Sequence, residues 1–221
     1  MKLRWMLVLV SGALLAVGPS LGAFNPNGRH WPAAPIVMTL EQPSTGVALA
    51  DGAADWDAVT EDALSKWNAV LNGVSFTALR DPGSEPALFN HVNNVVWSDD
   101  VYGDRFGDGV LAVTMSVYTV DDNTTVEADV LFNRGYAWNS YRGALRRGEG
   151  GGVLVDIHRV AIHEFGHVLG LDHPDDAGQT IAAMMNSHTS DLETLQPDDA
   201  DGVASIYGRP ALPLTLSRLV K

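Results

Sequence analysis

The sequence predicts an α+β fold in one domain, and three observations predict it. Runs rich in Val, Thr, Tyr and Phe crowd between residues 74 and 132, whereas helical spacing is confined to one segment before them and two after. Gly, Asn, Asp and Pro punctuate these runs, with no internal repeat. A mature length of about 200 residues is enough for one sizeable core. Five strands and three helices are expected.

The elements follow in chain order. Lys2 and Arg4, an apolar run from Trp5 to Val17, and then Gly18, Pro19, Ser20 and Gly22 predict a secretory signal peptide over residues 1–22, cleaved after Gly22 or Ala23. The run is too short to span a bilayer as a stable helix. The mature chain is therefore expected in a periplasm or outside the cell. A segment with Pro26, Pro32 and Pro35 leads to a first strand, Ile36–Leu40. Trp56, Val59, Ala63, Trp67, Val70 and Leu71 recur at helical spacing from Asp55 to Leu71, closed by Asn72-Gly73, and both tryptophans read as core. Strands follow at Val74–Leu79, Asn94–Ser98, Val110–Val120 and Thr125–Phe132, the last two joined as a hairpin by Asp121-Asp122-Asn123. Tyr136 to Gly152 reads as irregular. A second helix begins at an Asp156 N-cap, and a third, Pro197–Tyr207, is stopped by Gly208 and Pro210. The domain is expected over 23–210, with 211–221 a C-terminal tail.

Composition narrows the function classes. The chain has 14 Lys and Arg against 27 Asp and Glu, and loss of Lys2 and Arg4 with the leader gives 12 − 27 = −15. Nucleic acid and anionic membranes are disfavoured partners for such a chain. An exported protein without cysteine must be stabilised by packing and metal rather than disulfides. A monomer is expected.

The chemistry is concentrated in His163-Glu164-Phe165-Gly166-His167-Val168-Leu169-Gly170-Leu171-Asp172-His173, which carries H-E-x-x-H-x-x-G-x-x-H complete. On a helix, His163 and His167 project about 40° apart, so both imidazoles reach one ion. Glu164 lies about 100° around from His163, within range of a water on that ion. Gly170 can take the positive φ that ends a helix and brings His173 back from another direction. Three neutral nitrogens leave a fourth tetrahedral position open, which distinguishes a catalytic zinc from a structural one. Ile157, Ala161, Ile162, Phe165, Val168 and Leu169 cover the opposite surface for packing.

With Val155-Asp156-Ile157 before it and Ala183-Met184-Met185-Asn186 after it, this motif resembles the metzincin metallopeptidases and, within them, the matrixins. Leu195 to Gly208 is similar to the C-terminal helix of matrixin catalytic domains, and the resemblance is strong from about Ala128 to Gly208. It implies a metzincin architecture: a twisted mixed five-stranded sheet over the zinc helix, then a short C-terminal subdomain with a methionine turn. It also implies His163, His167 and His173 as ligands of one catalytic Zn2+, Glu164 as general base, and Met185 beneath the metal, with Met184 the alternative. The substrate, a polypeptide, would lie along an exposed edge strand, for which Val110–Tyr118 is the candidate. Three departures from the better-known matrixins stand out. There is no cysteine for a latency propeptide and little chain to hold one; no cluster of three further histidines with an aspartate for a second, structural zinc; and no tyrosine after Met185.

Other polar residues carry weaker signals. Asp99, Asp100, Asp104 and Asp108, interleaved with Gly103, Gly107 and Gly109, could give oxygen ligands to Ca2+, although an acidic surface loop is the commoner reason for such a run. His158 lies about 140° from His163 and points away from the metal. His188 could line a substrate cleft. His30 and His91 have no partner at ligand spacing. The expected activity is hydrolysis of internal peptide bonds by a zinc-activated water. Its rivals are a secreted zinc-binding module of the same fold without turnover, and a zinc hydrolase of non-peptide amides. The intact Glu164 argues against the first, and the pocket wall between Asn186 and Gln196 would decide the second.

Overall fold

The Asp55 side chain accepts the Ala58 N–H at 2.7 Å and so starts the first helix where the sequence places it. The computed structural model describes residues 5–8, 23–43, 46, 48–80, 83, 86–148 and 150–211. The expected leader, except Trp5–Val8, and the tail beyond 211 lie outside them. In chain order the elements are β1 (Trp5–Val8), β2 (Asn25–Pro26), β3 (Pro35–Glu41), α1 (Trp56–Asn68), β4 (Ser75–Arg80), β5 (Asn93–Ser98), β6 (Ala112–Thr119) and β7 (Thr125–Asn133). They continue with β8 (Ala137–Asn139), β9 (Arg146–Arg147), β10 (Val153–Asp156), α2 (Ile157–Val168), β11 (Leu171–Asp172) and α3 (Pro197–Tyr207).

The main sheet runs β1-β6-β7-β5-β3-β4. β7, β5, β3 and β4 are mutually parallel, and β6 is antiparallel to β7. The expected mixed sheet of five strands and the three helices are all present. β1, from within the expected leader, adds a sixth strand antiparallel to β6. That pairing modifies the expectation of a free edge at Val110–Tyr118, because it covers Ser116 to Thr119. A second difference lies in the segment read as irregular. β8, β9 and β10 form a small sheet there, since Leu154–Asp156 pair with Ala137–Asn139 and Val153 with Arg147.

Helices α1 and α2 pack on the inner face of the sheet. Met38, Leu40, Val95, Val130 and Phe132 from the strands meet Trp56, Val59, Ala63 and Trp67 from α1 and Ile157, Ile162 and Phe165 from α2 in one core. The two-residue period of each strand sends the intervening side chains to the outer face. Val96, Met115 and Leu131 cluster there with Val101. β7 is covered on both faces and buries Glu127 and Asp129 along with its apolar residues. Two indoles tie the scaffold to α2, Trp67 Nε1 donating to Ile162 O and Trp31 Nε1 to Val168 O, both at 2.8 Å. The face of α2 away from these contacts carries the histidines.

Candidate metal centre

Asp156 caps α2 as the sequence predicts, its side chain accepting the His158 N–H at 3.3 Å. Its other oxygen meets Arg159 Nη1 at 2.6 Å, and both residues are buried. This pair fixes the first turn, and His163 and His167 follow one and two turns on. Gly170 then adopts φ 97°, and a β-carbon there would lie 2.5 Å from Arg29 O. Only glycine fits a left-handed turn pressed so closely against another backbone. The turn delivers His173 to the other two rings.

The three Nε2 atoms form a triangle with sides of 3.1, 3.0 and 3.1 Å. Its centre is about 1.8 Å from each nitrogen, just inside the 2.0–2.1 Å of a zinc–imidazole bond. Each ring is oriented by its other nitrogen. His163 Nδ1 donates to Met184 O at 2.9 Å, His167 Nδ1 to Leu171 O at 2.7 Å, and His173 Nδ1 to Asp176 Oδ2 at 2.9 Å. All three partners are acceptors, so in neutral rings the proton sits on Nδ1 and the Nε2 lone pair faces inward. Three lone pairs at this separation repel one another unless a cation lies between them. Burial, reinforced by the neighbouring rings, pushes His163 down to about 4 and His167 to about 3. Both are therefore neutral, the form that ligates a metal. This is the one group of three or more His, Asp or Glu among the described residues whose ligand atoms lie within 4.8 Å of one another.

Glu164 points from the same helix with only 5% of its surface exposed. Burial raises its pKa, partly offset by His163 and by the Thr114 hydroxyl, which donates to Oε2 at 2.7 Å. Met185, 2% exposed, packs under α2 against Gly166. The turn is suspended from Asp199 of α3, whose carboxylate accepts Met184 N at 2.9 Å, Met185 N at 3.1 Å and Gln196 N at 2.7 Å.

The remaining sequence candidates are placed elsewhere. His158 is buried away from the triad, between Asp62 at 2.7 Å and Arg142 at 3.0 Å. His188 is exposed, with Nδ1 2.8 Å from Ser187 Oγ. Asp104 and Asp108 line a surface hollow with Gly103 and Gly107, while Asp99 pairs with Arg134 at 3.2 Å. Thr114 and Asp199 escaped the sequence reading. A lone Thr in a strand carries no signal, but Asp199 three residues after Gln196 has the spacing of a helix-capping residue.

A sequence model of the family described as Matrixin matches residues 47–208. Matrix metalloproteinase-25 of Mus musculus is 28% identical over 149 residues, 66% of this chain and 22% of that protein. Stromelysin-3 of Rattus norvegicus is 43% identical over 61 residues, 28% of this chain and 12% of the relative. Interstitial collagenase of Bos taurus is 49% identical over 55 residues, 24% and 11% of the two. The matches thus span between about a tenth and a fifth of these relatives' lengths. Covering most of the chain, the family match joins the histidine triad and the mixed sheet in one conclusion: the chain belongs to the matrixins, a family of zinc metalloendopeptidases.

Proposed function

We propose that the chain, freed of residues 1–22, is a secreted monomeric endopeptidase that hydrolyses internal peptide bonds, with His163, His167 and His173 holding one zinc ion and Glu164 as general base. The observation that carries this reading is the convergence of three Nε2 lone pairs, each ring fixed by an acceptor on Nδ1, beside a buried carboxylate from the same helix. Zinc bound there supplies Lewis acidity, which acidifies a water and polarises the scissile carbonyl. Glu164 takes the proton of the attacking water and returns it to the leaving amine. Its burial favours this exchange, because a carboxylate with a raised pKa gives and takes protons closer to neutrality. Met184 O holds the His163 ring by its Nδ1 proton, and Met185 supports the helix below.

An extended polypeptide is the natural substrate for a strand edge beside this site, since backbone groups pair with any sequence. Loss of residues 1–22 takes β1 with it and leaves the β6 edge open, and Thr114 on that strand touches Glu164. No helix among the described residues is long and apolar enough to cross a membrane.

The test is cleavage of a complex peptide library by the mature chain, wild type beside Glu164→Ala, read by mass spectrometry. Cuts made only by the wild type and abolished by a chelator support the reading. A zinc-loaded wild type that cuts nothing overturns it, and equal cutting by Glu164→Ala removes the role of Glu164.

A further inference from the structure

Along β6, Ala112 packs in the inner core while Val113 and Met115 turn to the outer cluster. The two-residue period therefore delivers Thr114 to the inner face, opposite α2. Thr114 is only 6% exposed, and its Oγ1 lies 2.7 Å from Glu164 Oε2 and 3.2 Å from Glu164 O. A hydroxyl has one proton to give, and the shorter contact to the ionised acceptor takes it. Among the described residues, no other hydrogen bond reaches the Glu164 carboxylate.

We infer that Thr114 is a positioning residue for Glu164: its hydroxyl holds Oε2, fixes the rotation of the carboxylate, and leaves Oε1 free for the proton of the attacking water. The inference rests on the proposed role of Glu164 as general base. A buried carboxylate on a long side chain turns easily about its last bond, which is broad and roughly two-fold. One fixed oxygen removes that freedom before the substrate arrives. Threonine suits the task because its branched β-carbon stiffens χ1. The strand beneath it is equally fixed, with Thr114 in register with Val130 of β7. A preset orientation of this kind acts on the rate of the chemical step rather than on substrate binding.

A hydroxyl that merely satisfies a buried position would give a different experimental pattern. The comparison is wild type, Thr114→Val, which keeps the shape and loses the hydroxyl, and Thr114→Ser, which keeps the hydroxyl. In Thr114→Val, kcat is expected to fall about tenfold or more with KM and zinc content nearly unchanged, and Thr114→Ser is expected to recover most of it. A second readout needs no turnover: urea midpoints of the zinc-free proteins, with Thr114→Val made in wild type and in Glu164→Ala. The shift caused by Thr114→Val should differ between the two backgrounds, because the contact exists in only one. Unchanged kcat in Thr114→Val, a loss that Thr114→Ser does not restore, or equal midpoint shifts in both backgrounds would each overturn the inference. If Thr114→Val does not fold, Thr114→Ala takes its place in both comparisons. A wild type that is zinc-loaded and inactive overturns the endopeptidase reading instead, and is recognised as such because the unequal midpoint shifts persist.

Discussion

Met185 Sδ occupies the space where a side chain on Gly166 would begin: a β-carbon there would lie 2.1 Å from the sulfur and 2.9 Å from Trp67 Cζ2. The glycine between the two helix-borne histidines is thus a socket that lets the methionine turn and an indole of α1 press against α2 from below. Met185 is the natural filler, since its flexible thioether adapts to an irregular gap.

Gly166→Ala should consequently destabilise the protein by about 1–3 kcal/mol and reduce its zinc content, because the new β-carbon meets a rigid indole and forces the Met185 thioether to repack within a close-packed core. Denaturant unfolding and zinc analysis measure both effects. Adding Met185→Ala should restore part of the stability, a non-additivity expected only of residues in contact. Simple addition of the two losses would refute the socket.

Asp176→Asn should weaken zinc binding by about 10- to 100-fold, the usual effect of losing a carboxylate partner behind a ligating imidazole. The Asp176 side chain is 69% exposed, so the zinc-free protein should unfold at an unchanged midpoint. Competition with a chromogenic chelator gives the affinity. A fall in midpoint without a fall in affinity would contradict the role of this contact.

Asp199→Asn exchanges one of two carboxylate oxygens for an amide that cannot accept the N–H it faces. A buried donor left without a partner costs about 1–3 kcal/mol. Because Met184 O holds His163, zinc content should fall together with the unfolding midpoint. Unaltered zinc content in a destabilised Asp199→Asn would separate α3 from the metal centre.

Asp129 gives a prediction with a definite sign. Burial raises its pKa to about 7, with Glu127 and Glu41 adding repulsion against the lowering by the Tyr102 hydroxyl and the Asn94 N–H. Between pH 4 and pH 7 the folded protein therefore keeps a proton that the unfolded chain has released. Stability falls as pH rises through that window. Asp129→Asn should flatten the fall, so urea midpoints of wild type and variant should diverge more at pH 7.5 than at pH 5. Parallel curves would place the titration elsewhere.

The convergence of the three histidines was legible because their spacing is local: helical period, a turning glycine and a third histidine all lie within eleven residues. Asp156 as N-cap, the left-handed Gly170 and the order of strands and helices were legible for the same reason. Contacts that reach across the chain were not. Thr114 meets Glu164 over 50 positions, and a single hydroxyl on a strand has no pattern to announce it. The small sheet of β8 to β10 was hidden by its composition, since its strands of two to four residues sit among glycines and arginines and give no readable alternation.

The short pairing of β2 with β11 bears on how the histidine triad is assembled. Leu171 and Asp172 are held against Pro26 and Asn25, and Asn25 Nδ2 donates to His173 O at 3.2 Å across 148 positions of sequence. The loop bearing the third imidazole is thus clasped by some of the first residues of the domain to be synthesised. A pairing so distant in sequence forms more slowly than the local contacts of the helices and hairpin, because its loop-closure entropy must be met first. The convergence of the three histidines is accordingly expected late in folding, after most of the core has condensed. A chain still extended would carry the motif without yet having its three imidazoles together.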